Sequence, residues 1–277
     1  MALIIPSVYA DLVREKIVGK VKVANFAVDL GFLTNSTVGE TVTFPKWKLL
    51  GDAEDVVKGV AVGTESLAQE STTATIKMVA PKGVTVFDMD NITALGNAID
   101  EAASQQAVQI ARKIDLDLIT EALTSPLKSA TASGVLITAA ELNAALMLYG
   151  DEQDVEEFEG IVVNSLLLPS FVDMPEFTSI EKTYQGATNG VVTGGVIGYF
   201  RGYKVCMANH GTYDSAKAEC ITLIIKKKSL GIMNKRDIKV EEDRKPALFC
   251  SDIFSNKVYA VHLTAEDGVV VVRKTIV

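Results

Sequence analysis

Residues 97–123 read NAIDEAASQQAVQIARKIDLDLITEAL, and the rest of the chain is arranged around them. Asn97 is a candidate cap for the first turn, and Asp100 sits three residues on, where a carboxylate answers free amides and the helix dipole. Ile99, Ala103, Ala107, Ile110, Ile114, Leu118 and Ala122 recur at steps of three or four, which is one face of a helix. Ser125-Pro126 stops it, because proline cannot continue the hydrogen-bond ladder. Such a helix is a rod of roughly 40 Å, against a mean of about 11–12 residues for globular helices. A single long helix flanked by strand-rich sequence is a backbone on which other parts hang.

Length and composition bound what those parts can be. A chain of 277 residues buries a large core and divides into subdomains. Hydrophobic residues make up 48% and charged residues 22%, which excludes wholesale disorder. The formal net charge of −8 argues against gripping nucleic acid, since affinity for phosphate comes from clustered Lys and Arg. It leaves room for a protein that surrounds nucleic acid without holding it. Cys206, Cys220 and Cys250 show no CxxC spacing and read as buried thiols. The start, MALIIPSVYADLV, lacks the basic and long apolar regions of a signal peptide, and no run approaches the length of a membrane span.

In residues 1–35, Val8-Tyr9, Leu12-Val13 and Ile17 are spaced for an amphipathic helix too small to fold alone. This arm is expected to lie along a larger body, its own or a neighbour's. From Gly39 to Phe87 the chain reads as a ribbon. Gly39–Pro45 and Thr73–Val79 alternate polar and apolar residues, as strands do, with few large apolar side chains between them. A two-stranded hairpin is marginal in water, so the ribbon either folds back or reaches another molecule.

After the long helix, Thr138 with Glu141 forms a capping-box pattern for a helix over Ala139–Tyr149, and Gly150 closes it. The acidic run from Asp151 to Glu157 lacks the spacing of a calcium loop and reads as solvated. Ile161–Val163 is a buried strand candidate, Ser165–Met174 a short helix, and Gly198–Val205 a hairpin after the glycine-rich stretch from Gly186. Ile221–Ile225 reads as a strand ending in Lys226-Lys227-Lys228, and Val258–Leu263 and Val269–Val272 read as hairpin partners across Ala265–Gly268. The whole is α+β.

No chemistry declares itself. His210 reads as a turn residue and His262 as a packed or edge histidine, and neither lies in a catalytic spacing. GxSxG, HExxH and Walker patterns are missing, and Asp115 and Asp117 read as helix acids facing solvent. The sequence supplies no catalytic residue, no cofactor-binding residue and no metal ligand, so the expectation is a protein that is not an enzyme.

The order of these pieces resembles the major capsid proteins of tailed phages, the Hong Kong 97-type fold. Local matches run through Gly39-Glu-Thr-Val-Thr-Phe-Pro45, Gly51-Asp-Ala53, Lys58-Gly59 and Gln109-Ile-Ala-Arg-Lys-Ile-Asp115. They continue through Leu148-Tyr-Gly-Asp-Glu152, Gly160-Ile-Val-Val163, Gly198-Tyr-Phe-Arg-Gly-Tyr-Lys-Val205, Lys235-Arg-Asp237 and Val240-Glu-Glu-Asp-Arg244. The resemblance implies an N-terminal arm over 1–35, an extended β-hairpin loop over 36–88, and a mixed axial domain over 130–233. It also implies a peripheral domain of 89–129 and 234–277 that carries the spine helix. Pentamers and hexamers would close into an icosahedral head around double-stranded DNA, held without sequence-specific contacts. Phe44, Trp47, Lys48, Val56, Lys58 and Glu65 in the loop are then the candidate contacts between subunits.

The expected partners are further copies of the chain, a separate scaffolding protein, a portal and a decoration protein, with the virion as the location after assembly in the bacterial cytoplasm. The scaffolding expectation rests on the short stretch ahead of the ribbon. Some members crosslink lysine to asparagine, and Lys46, Lys48 and Lys58 lie in the ribbon, but no local pattern marks an asparagine partner. Two other readings compete. An encapsulin-type nanocompartment shell would enclose an enzyme, and a soluble enzyme would use the 151–159 loop with a divalent ion.

Overall fold

The computed structural model describes residues 6–32, 41–47, 50, 55, 58–59, 61, 63–93, 98–151, 153–179 and 195–276. In chain order, α1 (Pro6–Val18) is followed by β1 (Val28–Phe32), β2 (Thr41–Trp47), β3 (Gln69–Thr75), β4 (Lys77–Val79) and β5 (Val84–Phe87). Next come α2 (Asp88–Thr93), α3 (Ala98–Ala122), β6 (Lys128–Ala130), α4 (Ala139–Leu146), β7 (Phe158–Val163), α5 (Leu168–Val172) and β8 (Phe177–Ser179). The return comprises β9 (Val196–Phe200), β10 (Tyr203–Met207), β11 (Tyr213–Asp214), β12 (Glu219–Cys220), β13 (Thr222–Lys226), β14 (Leu230–Lys245), β15 (Cys250–Leu263) and β16 (Val269–Arg273).

The long helix is α3, with 25 residues. The apolar positions read from the sequence from Ala103 to Ala122 are all buried, and Ile110, Ile114, Leu118 and Ile119 carry most of the area. At about 1.5–3 kcal/mol each, those four side chains contribute an upper bound of about 6–12 kcal/mol, which anchors the helix in the core. The proposed cap Asn97 lies outside the described residues.

Two main sheets hold the chain. One has the order β1-β14-β15-β4, with β5 also paired to β15. The other runs β6-β16-β13-β7-β10-β9-β8. The central strands of this second sheet are buried on both faces, which is why Ile161–Val163 and Leu223–Ile225 are unbroken apolar runs. Val162, Leu223, Ile225, Val269 and Val271 share one core with α3, α1 and the first sheet. Ile161, Val163, Ile224, Val270 and Val272 face the opposite way, into a second core with Leu142 of α4 and Phe171 of α5.

Local signals shape the connections. Thr138 accepts the Glu141 N–H while the Glu141 carboxylate accepts the Thr138 N–H, so the capping box is formed. The helix it starts ends at Leu146 and tightens into a 3-10 turn through Tyr149, with Gly150 at φ 62°. Arg201 and Gly202 both adopt positive φ, 48° and 91°, which suits the tight turn joining β9 to β10. The helix expected over Ser165–Met174 is a 3-10 turn running into α5, and the glycine-rich residues 186–194 lie outside the described residues.

One strand pairing expected from the sequence fails. Val258–Leu263 and Val269–Val272 are not hairpin partners. The first belongs to β15 and pairs with β14 and β4, whereas the second is β16 and pairs with β13 and β6 in the other sheet. Ala265–Gly268 does turn, with the Gly268 N–H bonded to the Ala265 carbonyl at 3.2 Å, but it passes the chain between sheets. Tyr149 and Ser229 hold that turn by donating their hydroxyls to the Gly268 carbonyl, at 3.4 and 3.0 Å.

Candidate assembly surfaces

The N-terminal arm is seated on its own body. Tyr9, Val13 and Ile17 of α1 are buried against α3. The Tyr9 hydroxyl donates to Gln106 Oε1 at 3.1 Å, and burial pushes its pKa up to about 12. Gln106 is fully buried; its Nε2 donates to the Ile253 carbonyl at 3.2 Å and its Oε1 also accepts from Ser255 at 2.9 Å. One amide thus ties arm, spine helix and β15 together. Lys16 adds a salt bridge to Asp100 at 2.6 Å.

Asp115 and Asp117 do not face solvent as the sequence reading held; they are 6% and 4% exposed. Asp115 Oδ1 accepts the N–H groups of Val23 and Ala24 at 3.0 and 2.9 Å, and Oδ2 accepts that of Lys22 at 3.0 Å. It thereby caps the 3-10 turn Val23–Phe26, which continues the arm. Burial pushes the Asp115 carboxyl above its ordinary range, and the three amides oppose that shift. Asp117 accepts the Tyr259 hydroxyl and the Lys113 ammonium, both at 2.8 Å, with Lys77 at 3.7 Å. These residues were legible in part: Gln106 falls three positions after Ala103 and Asp117 three after Ile114, polar groups on the apolar face.

The extended loop begins as a two-stranded antiparallel ribbon in register from Thr41↔Thr75 to Trp47↔Gln69. Its base sits on the body through a small core of Val42, Phe44, Ala74 and Ala260. Phe44 is wholly buried, with its ring centroid 5.5 Å from that of His262. His262 is therefore a packed histidine, and Phe44 is engaged by its own chain. Farther out, Leu50 and Leu67 are 49% and 59% exposed, large apolar side chains without cover in the monomer. Lys58 and Glu65 are also exposed, Lys58 in a turn with Gly59 at φ 91°. Trp47 takes part in β2 through its backbone, but its side chain, together with Lys48 and Val56, lies outside the described residues.

Among the described residues, no group of three His, Cys, Asp or Glu side chains could hold a metal ion, and no helix is long and apolar enough to cross a membrane. Cys206, Cys220 and Cys250 are buried thiols outside any disulfide among the described residues, and burial pushes the Cys206 thiol up to about 11.

No protein-family model matches the chain. The major capsid protein of Staphylococcus phage phiMR11 is 25% identical over 272 residues, which is 98% of this chain and 93% of that protein. Among solved structures, the capsid of an empty GTA particle superposes with a TM-score of 0.63 at 11% identity, covering 93% of this chain and 90% of the other. The fold is that of a phage capsid shell protein. The capsid of cyanophage P-SCSP1u agrees, with a TM-score of 0.58 at 14% identity over 88% of this chain and 86% of its own. The resemblance read from local motifs is thereby upheld at the level of the whole chain.

Proposed function

We propose that the chain forms pentamers and hexamers that close into the icosahedral head of a tailed phage around its double-stranded DNA. The observation that carries this reading is similarity to a phage major capsid protein across 98% of the chain, arm and ribbon included. The physical features support it. A ribbon with exposed Leu50 and Leu67 gains its free energy by lying on neighbours, which spreads a large interface over several copies. A net charge of −8 lets packaged DNA slide along the wall without being held by phosphate contacts.

On this reading the protein is structural and not an enzyme, it works in the virion after assembly in the bacterial cytoplasm, and a separate scaffolding protein, a portal and a decoration protein are its partners. The loop contacts fall on Trp47, Lys48, Val56, Lys58 and Glu65, with Phe44 as the hinge that aims them. The domain division is an arm over 1–35, a loop over 36–88, an axial domain over 130–233 and a peripheral domain made of the remainder. Val269–Arg273, inside that remainder, pairs with β13 and β6 and so stitches the peripheral portion to the axial sheet.

Native mass spectrometry of the protein co-expressed with its genomic neighbours tests the reading. Species of five and six copies support it. A stable dimer or tetramer as the largest species, with or without the neighbours, refutes it.

A further inference from the structure

The middle of α3 borders a cavity of about 470 Å³ whose described lining includes Lys20, Lys22, Arg112, Asn209 and His210. The two lysines come from the segment between α1 and β1, Arg112 from α3, and Asn209 and His210 from the exit of β10. Asp115 also borders it, but its oxygens are taken up by the backbone N–H groups of Lys22, Val23 and Ala24. Asn209 Oδ1 accepts the Ser165 N–H at 2.9 Å, which leaves its amide nitrogen as a donor. Among the described residues, no salt bridge engages Lys20, Lys22 or Arg112. Three cations against the single carboxylate of Asp115 leave the hollow net cationic, on a chain of net charge −8.

The complementary feature lies at the other end of the same strand. Asp151, Asp154, Glu156 and Glu157 are exposed just ahead of β7. Glu157 leans on Lys226 at 3.6 Å, whereas Asp151, Asp154 and Glu156 make no salt bridge among the described residues. The hollow begins where β7 ends, since the Ala208 N–H donates to the Val163 carbonyl at 2.9 Å and Asn209 and His210 follow. A six-residue strand at about 3.3 Å per residue separates the two by roughly 20 Å. An acidic loop therefore does not reach the hollow of its own chain.

We propose that the acidic loop of one copy, through Asp151, Asp154 and Glu156, docks into the Lys20–Lys22–Arg112 hollow of an adjacent copy. Such a contact is head-to-tail, the kind that closes into rings when the rotation allows. Arg112 offers the planar fork that binds a carboxylate through two parallel hydrogen bonds. The inference rests on the ring assembly proposed above and names one surface on which it depends.

Charge reversal tests it. One variant carries Lys20→Glu and Arg112→Glu, a second carries Asp154→Lys and Glu156→Lys, and a third combines all four. The altered side chains are exposed, and circular dichroism with a thermal melt checks that each variant folds. Each reversal alone is expected to raise the protein concentration needed for rings or shells by about tenfold or more, with the combination returning to within about threefold of wild type. The wild-type threshold is expected to rise with ionic strength. Wild-type assembly matched by either single reversal overturns the contact and leaves the shell reading intact. Weakening by both reversals without recovery in the combination also overturns it, and marks the hollow as a site for another anion such as inorganic phosphate. A wild type that never assembles overturns the ring reading and this contact with it.

Discussion

Replacing Phe44 with alanine probes the joint between the projecting ribbon and the body. The ring is wholly buried, lies against His262 and fills a core of only four buried residues, so the cavity has little surrounding structure with which to collapse. Truncating a buried Phe costs about 3–5 kcal/mol, and here the loss falls on one element instead of the whole fold. The other strands and α3 have their own cores, whereas a detached two-stranded ribbon is marginal in water. The expected outcome is local opening of β2–β3. At about 1.4 kcal/mol per factor of ten, a 3 kcal/mol loss accelerates amide exchange more than about a hundredfold. Hydrogen–deuterium exchange resolved by peptide reads this directly, with rapid exchange over 41–47 and 69–75 and wild-type protection over 98–122. Phe44→Leu, which keeps most of the volume, is expected to stay within about 1.5 kcal/mol. Wild-type protection of the ribbon in Phe44→Ala, or uniform loss of protection across the chain, refutes the joint.

Three further outcomes follow from single contacts. Asp115→Ala leaves three backbone N–H groups at the start of the 3-10 turn without their acceptor; at about 1–3 kcal/mol for each buried group, less the relief of an unburied carboxylate, it is expected to destabilise by roughly 2–4 kcal/mol. Urea denaturation reads the loss, and rapid exchange over 22–26 places it; an unchanged midpoint contradicts the capping role. Thr138→Ala removes the reciprocal cap of α4 and costs about 1 kcal/mol by the same assay, and a neutral result means the cap contributes nothing. Asp88 receives two hydrogen bonds from Arg244, at 2.7 and 2.5 Å, which hold its carboxyl below the usual carboxylate range. The folded pKa is depressed, so the stability from this pair is present above the unfolded value of about 3.9 and is lost as pH falls below it through the folded pKa. Carboxyl NMR is expected to show Asp88 titrating below about 3.9 in the wild type and near it in Arg244→Ala; equal midpoints in the two proteins contradict the pairing.

How much of this was legible depends on the range of the interactions. The spine helix, α1, β2 and the capping box were readable because each is written in spacings of two to four residues, with Ala103, Ile110 and Leu118 or Tyr9, Val13 and Ile17 as the marks. The pairing of strands was not. Val258–Leu263 and Val269–Val272 alternate alike and flank a true turn, yet side-chain alternation fixes which face a strand buries and not which strand it joins. The 16-residue β14 was hidden because its stretch from Lys235 to Lys245 is mostly charged, with only Ile238 and Val240 facing the core. Asp115 and Asp117 were misread because a carboxylate on a helix betrays nothing of the segment that closes over it, here the turn after α1 and the Tyr259 hydroxyl. The loop contacts proposed at Trp47, Lys48 and Val56 would be made to neighbouring copies, which a single chain does not display.

The most direct test of the account is negative-stain electron microscopy of the purified protein across a range of concentration and salt, with and without a co-expressed scaffolding candidate. The account expects closed shells, or capsomer-sized rings and tubes, in at least one of these conditions. A single small species in all of them contradicts it.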